Sequence, residues 1–251
     1  MDLYKCIAGG IVLLAAAALG AESGNFNGPD ESSACVVLLH GLGRTSRSMH
    51  QMAKALEAAG YRTFNPDYAS RKFPIEHLAM QVIPEAVQQC REQGCETIHF
   101  VTHSMGGILV RYYLSQERPK ELGRTVMLSP PNQGSEVVDY LRDNIFYRWY
   151  NGPAGLQLGT DKEGIASRLG PVDYPVGIIT GRVHSFFDGW LSETIPGDDD
   201  GKVSVERAKV EGMADFLAVP HPHPFIMDQE DVFEQSLHFL RTGRFAHPVK
   251  R

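Results

Sequence analysis

A serine hydroxyl is a weak nucleophile at neutral pH. It acts where a base takes its proton, an acid orients that base, and amide N–H groups wait where negative charge will develop. The 251-residue sequence holds candidates for every one of these parts. Thr102-His103-Ser104-Met105-Gly106 sets a serine between two small positions. It is a G-x-S-x-G pattern with Thr in place of the first Gly. His40-Gly41-Leu42-Gly43 ends an apolar run, Asp198-Asp199-Asp200-Gly201-Lys202-Val203 is an acidic turn, and His221-Pro222-His223-Pro224-Phe225 supplies two histidines. Such parts work only if the chain folds them together, so the elements that carry them matter next.

Thr97–Val101 is β-branched and apolar, the pattern of a short buried strand, and Ile108, Leu109, Tyr112 and Tyr113 then repeat at helical spacing. The chain must therefore reverse around Ser104, which a sharp strand-to-helix turn would hold outward. Cys35–Leu39 is an unbroken apolar run, as in a central parallel strand buried on both faces. Thr45 or Ser46 is placed to cap a helix with Met49, Met52, Ala53, Leu56 and Ala59 on one side and Gly60 as its stop. Tyr61–Asn65 reads as a strand. A longer helix runs from Pro74 to about Glu92, with Pro84 predicted to kink it. Thr125–Leu128 and Val176–Gly181 are further strands, and Asp228 is placed to cap a last helix burying Val232, Phe233, Leu237 and Leu240. Residues 135–172 break this rhythm. They carry Gly and the aromatics Tyr140, Phe146, Tyr147, Trp149 and Tyr150, and predict an excursion over the strand ends, the aromatics lining a pocket or packing the excursion. Alternating strands and helices predict an α/β fold, a mostly parallel central sheet with helices on both faces, and sites at the carboxyl ends of its strands.

Composition bounds the function. With 43% hydrophobic and 22% charged residues the chain fits one large α/β domain. A net charge of -6, with no basic run, excludes nucleic acid as an expected partner. Lys5, the apolar run Ile7–Leu19 and the small exit at Gly20 and Ala21 describe a secretory signal over residues 1–24. The run is short for a spanning helix, which needs about 20 apolar residues. The alternative is an uncleaved N-terminal anchor, with membrane association through residues 7–19. The expected location is thus exported, periplasmic or secreted, or membrane-anchored. Residues 25–33 read as a linker and 34–247 as the folded domain, with the insertion at about 135–172. Outside the signal stand Cys35, Cys90 and Cys95. Cys90 and Cys95 straddle a predicted helix end, open either to a bridge or to two buried thiols.

From Cys35 to Phe245 the chain resembles bacterial α/β-hydrolases of the lipase and esterase kind. His40-Gly41-Leu42 is similar to their oxyanion loop and Thr102–Gly107 to their nucleophile elbow. Asp200-Gly201-Lys202-Val203 resembles their D-G-x-V turn and His223-Pro224-Phe225 their terminal histidine loop. The order Ser, Asp, His is that of this fold, and differs from two unrelated protease orders. The resemblance implies Ser104 as nucleophile, His223 as base and Asp200 as orienting acid. The Leu42 and Met105 N–H groups would form the oxyanion hole, with His40, Gly41 and Gly106 supporting. Asp198 and Asp199 compete for the acid role, and His221 for the base. His40 is expected to shape its loop, His103 to pack beside the turn and Ser135 to cap or sit in a loop. The histidine pair with the Asp cluster could hold a metal, but no CxxC or HExxH spacing accompanies it, and no metal or cofactor is expected. The implied activity is hydrolysis of a small-molecule or lipid ester through an acyl-enzyme. Thioesterase, amidase and acyltransferase chemistry share the same parts. A non-catalytic binding module on the same fold is the further alternative.

Overall fold

The computed structural model describes residues 31–185 and 189–247. The predicted signal or anchor segment and most of the predicted linker lie outside the described residues. Among the described residues six strands form one sheet: β1 (Ala34–Leu39), β2 (Arg62–Phe64), β3 (Thr97–His103), β4 (Leu122–Leu128), β5 (Val176–Gly181) and β6 (Asp215–Val219). The order is β2-β1-β3-β4-β5-β6, and every neighbouring pair is parallel. The helices among the described residues are α1 (His50–Ala58), α2 (Ile75–Glu92), α3 (Met105–Gln116), α4 (Glu136–Leu141), α5 (Ile145–Leu156), α6 (Ile165–Leu169), α7 (Gly189–Ser192), α8 (Val205–Ala208) and α9 (Glu230–Thr242).

Strand alternation builds a core on each face. Cys35, Val37 and Leu39 of β1 join α2 and α3 in one cluster, while Ala34, Val36 and Leu38 join α1 and α9 in the other. That is why Cys35–Leu39 reads as a continuous apolar run: both faces of β1 are covered. The segment 135–172 holds α4, α5 and α6 and no strand.

The structure departs from the sequence expectations at several points. No strand is predicted between Gly181 and the last helix, yet β6 pairs with β5 there, Gly177 against Asp215 through Gly181 against Val219. It is a half-buried edge strand whose apolar run Phe216–Val219 is short and follows Asp215. Asp228 does not cap α9. The chain winds through a 3-10 turn from His223 to Asp228, which leaves Gln229 as the extended residue at the helix start. Thr45 precedes a 3-10 turn, Ser46–Met49, and its side chain caps nothing. α2 runs through Pro84 unbroken. Residues 31–33, assigned to the linker, form a 3-10 turn held by an ion pair from Glu31 to Arg241. Cys90 and Cys95 do not bridge: Cys95 bonds to Cys35, and Cys90 is buried and free. β1 and β3 are neighbours with Cys35 opposite Ile98, which brings Cys95, just before β3, beside Cys35.

Candidate active site

β3 ends at His103, Ser104 takes φ 53 and ψ −122, and α3 begins at Met105. A non-glycine residue at positive φ is strained, and the neighbouring structure must hold it. Here the Ser104 N–H donates to the Leu128 carbonyl of β4 at 2.8 Å. Two glycines let the segments close up. A Cβ on Gly106 would lie 2.5 Å from the Leu39 carbonyl oxygen, and one on Gly41 would lie 2.8 Å from His103 Nδ1. The helix thus packs directly on the end of β1, and the Gly41 loop directly on the turn.

Three sequence-separated residues meet in one hydrogen-bonded chain. Ser104 Oγ–H donates to His223 Nε2 at 3.0 Å, and His223 Nδ1–H donates to Asp200 Oδ2 at 2.8 Å. Asp200 is fully buried. Its Oδ1 accepts the N–H groups of Lys202 at 3.1 Å and Val203 at 2.9 Å. A carboxylate with these partners is an acceptor only, which fixes the His223 proton on Nδ1 and leaves Nε2 to accept. The His223 N–H also donates to the Asp200 carbonyl at 2.9 Å, so the two loops are tied by backbone as well.

The competing residues are engaged elsewhere. Asp199 accepts Gly201 N–H at 2.7 Å and Ser192 Oγ–H at 2.5 Å, and Asp198 is exposed. His221 pairs with Asp231 at 2.8 Å. Among the described residues no group of three or more His, Cys, Asp and Glu is placed to hold a metal ion. Ser135 precedes α4 and donates its Oγ–H to the Lys202 carbonyl at 2.6 Å.

The Gly41 loop is held open at Leu42. The Leu42 N–H has no acceptor among the described residues, and the Met105 N–H opens α3 ahead of the first helical hydrogen bond. His40 is buried, stacks on Tyr68 at 3.8 Å and donates Nδ1–H to the Gly41 carbonyl at 2.9 Å. Burial pushes its pKa down, so it stays neutral and structural. Tyr68 also donates its hydroxyl to the His40 carbonyl, and Ser70 Oγ accepts the Gly43 N–H at 3.0 Å. The bracing by Tyr68 and Ser70 has no sequence signature, because the partners lie 27–28 residues apart and meet only in the fold. His103 is buried too, and donates Nε2–H to the His223 carbonyl at 3.1 Å. Burial first, then the neighbouring His223 and Arg44, hold its pKa well below the usual histidine range.

Ser104 and His223 open into a cavity of about 360 Å³. Leu42, Val137, Val138, Leu141, Leu158 and Val203 give it an apolar wall. Of the excursion's aromatics, Tyr147 and Tyr150 line it, Tyr150 at an exposed rim, while Tyr140, Phe146 and Trp149 are exposed and do not line it. Volume and lining are those of a small-molecule pocket.

A family model described as alpha/beta hydrolase matches residues 36–240. The chain belongs to the alpha/beta hydrolase family. Among solved structures, this hydrolase is similar to a Bacillus licheniformis lipase, with a TM-score of 0.71 and 18% identity over 86% of this chain and 95% of that one. An esterase from Thermogutta terrifontis aligns with a TM-score of 0.55 and 15% identity, over 83% and 90% of the two chains. An epoxide hydrolase from Vigna radiata aligns with a TM-score of 0.51 and 16% identity, over 82% and 91%. A sequence search of curated proteins found no match. At these identities the alpha/beta hydrolase neighbours define the fold, and their differing activities leave the chemistry to the site.

Proposed function

We propose that the protein is a serine hydrolase of carboxylic esters, with Ser104 on a nucleophile elbow. The observation that carries this reading is the hydrogen-bonded chain Ser104–His223–Asp200 at the mouth of an apolar cavity. Ser104 Oγ attacks the ester carbonyl as His223 Nε2 takes its proton. The Leu42 and Met105 amides stabilise the oxyanion. The acyl C–O bond breaks, and the alcohol leaves with the proton from His223. Water, deprotonated by His223, then attacks the acyl-serine. The carboxylic acid departs and the proton returns to Ser104. Asp200 holds the imidazole tautomer throughout and stabilises the imidazolium.

Labelling by a fluorophosphonate probe tests the reading. Wild type is expected to label and to cleave a p-nitrophenyl ester, and Ser104→Ala to do neither. Labelling that persists in Ser104→Ala, or a wild type inert to both reagents, would overturn it. Export belongs to the same proposal. It is supported by the signal-like residues 1–24 and by the Cys35–Cys95 bridge, since disulfides persist in oxidising compartments. N-terminal sequencing of the exported protein checks it: a retained Met1 argues for an anchor instead.

A further inference from the structure

The cavity lining mixes apolar and cationic side chains. Its apolar wall suits an acyl chain. Its only charged lining residues among the described ones are Arg44 and Lys202, both cations, in a protein of net charge -6. We propose, resting on the ester-hydrolase reading above, that the cavity selects esters whose alcohol half carries an anion, a phosphate or a carboxylate, and that Arg44 recognises it.

Position supports the alcohol side. Arg44 lies two residues beyond Leu42 of the proposed oxyanion loop, and its Nη2–H donates to the Pro224 carbonyl at 3.0 Å. Pro224 follows His223, the residue that must protonate the departing alcohol. On that reading Arg44, bonded to the loop that carries His223 and lining the same cavity, is placed to meet the alcohol half. Among the described residues it makes that one side-chain hydrogen bond and no ion pair. It is half-buried, and a guanidinium offers five donors in a planar fork suited to phosphate or carboxylate. The Asp228 carboxyl is near enough to feel the Arg44 charge but forms no ion pair with it, so the guanidinium keeps donors for a ligand. Its field also reaches His103, where it adds to burial in disfavouring a charged ring.

Three esters with one acyl group test this: octanoyl glycerol, octanoyl glycerol 3-phosphate and the octanoyl ester of lactate. The anionic esters are expected to exceed the neutral one in kcat/KM by about tenfold, the scale of one charge-assisted hydrogen bond. The preference should shrink towards about 1 M salt. Arg44→Gln should abolish it and Arg44→Lys should keep most of it. The ranking of phosphate against lactate identifies which anion the site takes. Equal or faster cleavage of the neutral ester by wild type overturns the proposal alone. So does an unchanged anionic-to-neutral ratio in Arg44→Gln, even if overall activity falls through loss of the Pro224 contact. A wild type that neither labels with the fluorophosphonate nor cleaves any ester overturns the hydrolase reading as well.

Discussion

Asp200 and Asp199 are adjacent and both buried, yet they do different work. Asp200 faces His223 Nδ1, while Asp199 holds the Gly201 amide and Ser192. Asp200→Asn replaces an acceptor-only partner with an amide that can donate, so the imidazole tautomer is no longer fixed. The kcat for a p-nitrophenyl ester is expected to fall roughly 10³–10⁴-fold, the scale seen when a triad acid is lost. Asp199→Asn should stay within about tenfold of wild type, because its effect reaches the site only through the turn. Equal losses in the two variants would take the acid role from Asp200. The sequence shows the residue types and their order, and Ser104, Asp200 and His223 are the three it points to. It favours Asp200 over Asp198 and Asp199 through the Asp200-Gly201 turn, with the other two as competitors. In the structure it is Asp200 that bonds His223 Nδ1, in a turn where the Lys202 and Val203 amides converge on its other oxygen. The sequence does not display Tyr68 or Ser70, whose contacts with the His40–Gly43 loop exist only once β1 and the loop after β2 are side by side.

At the scale of elements, the site depends on α3 lying against the end of β1. Gly106 permits this, since a Cβ there would meet a backbone carbonyl that cannot rotate away. Gly106→Ala is expected to cost about 1–3 kcal/mol in urea unfolding, as for overpacking in a core. It should also lower kcat by shifting the Met105 amide. Tyr68→Phe keeps the stack on His40 but deletes the hydroxyl bond to its carbonyl. A loss of about 1 kcal/mol in stability is expected, with kcat reduced more than KM is raised. Unchanged kcat would mean that the loop carrying Leu42 is held without Tyr68. Elements were legible where the periodicity was strong: β1, β3, β5, α2 and α9 all lie where apolar runs or stripes place them. β6 is only half-buried at the sheet edge, and its short apolar run Phe216–Val219, closed by Pro220, stands apart from the strand–helix rhythm. The start of α9 was misplaced at Asp228 because a 3-10 turn extends the chain one residue further before the helix begins.

For the whole molecule, the Cys35–Cys95 bond ties β1 to the strand entry of β3 across 60 residues of sequence. The sequence left this pairing open, since spacing alone favours Cys90 as the nearer partner and only the sheet order brings Cys35 in. Removing the bond in Cys35→Ala/Cys95→Ala should cost about 2–4 kcal/mol by loop closure, read from urea unfolding with and without reductant. Acid acts on a second global property. His99 is buried, and its Nδ1 accepts the Arg124 N–H at 2.7 Å. Burial first, and then the Arg124 charge, push its pKa down to about 4. In the unfolded chain it titrates near its ordinary value of about 6.5. Below that pH the unfolded state takes up a proton that the fold refuses, so stability is full above about 6.5 and falls as pH drops towards 4. His40 and His103 are shifted the same way and add to the trend. From pH 6.5 to 5 the His99 share is about 2 kcal/mol, at about 1.4 kcal/mol per pH unit. Urea unfolding of wild type and His99→Gln at the two pH values measures it. The variant is expected to start less stable and to lose about 2 kcal/mol less over the interval. A parallel loss in both proteins would place the acid sensitivity in the site histidines, and so tie the stability of the fold to the same loops that hold Ser104 and His223.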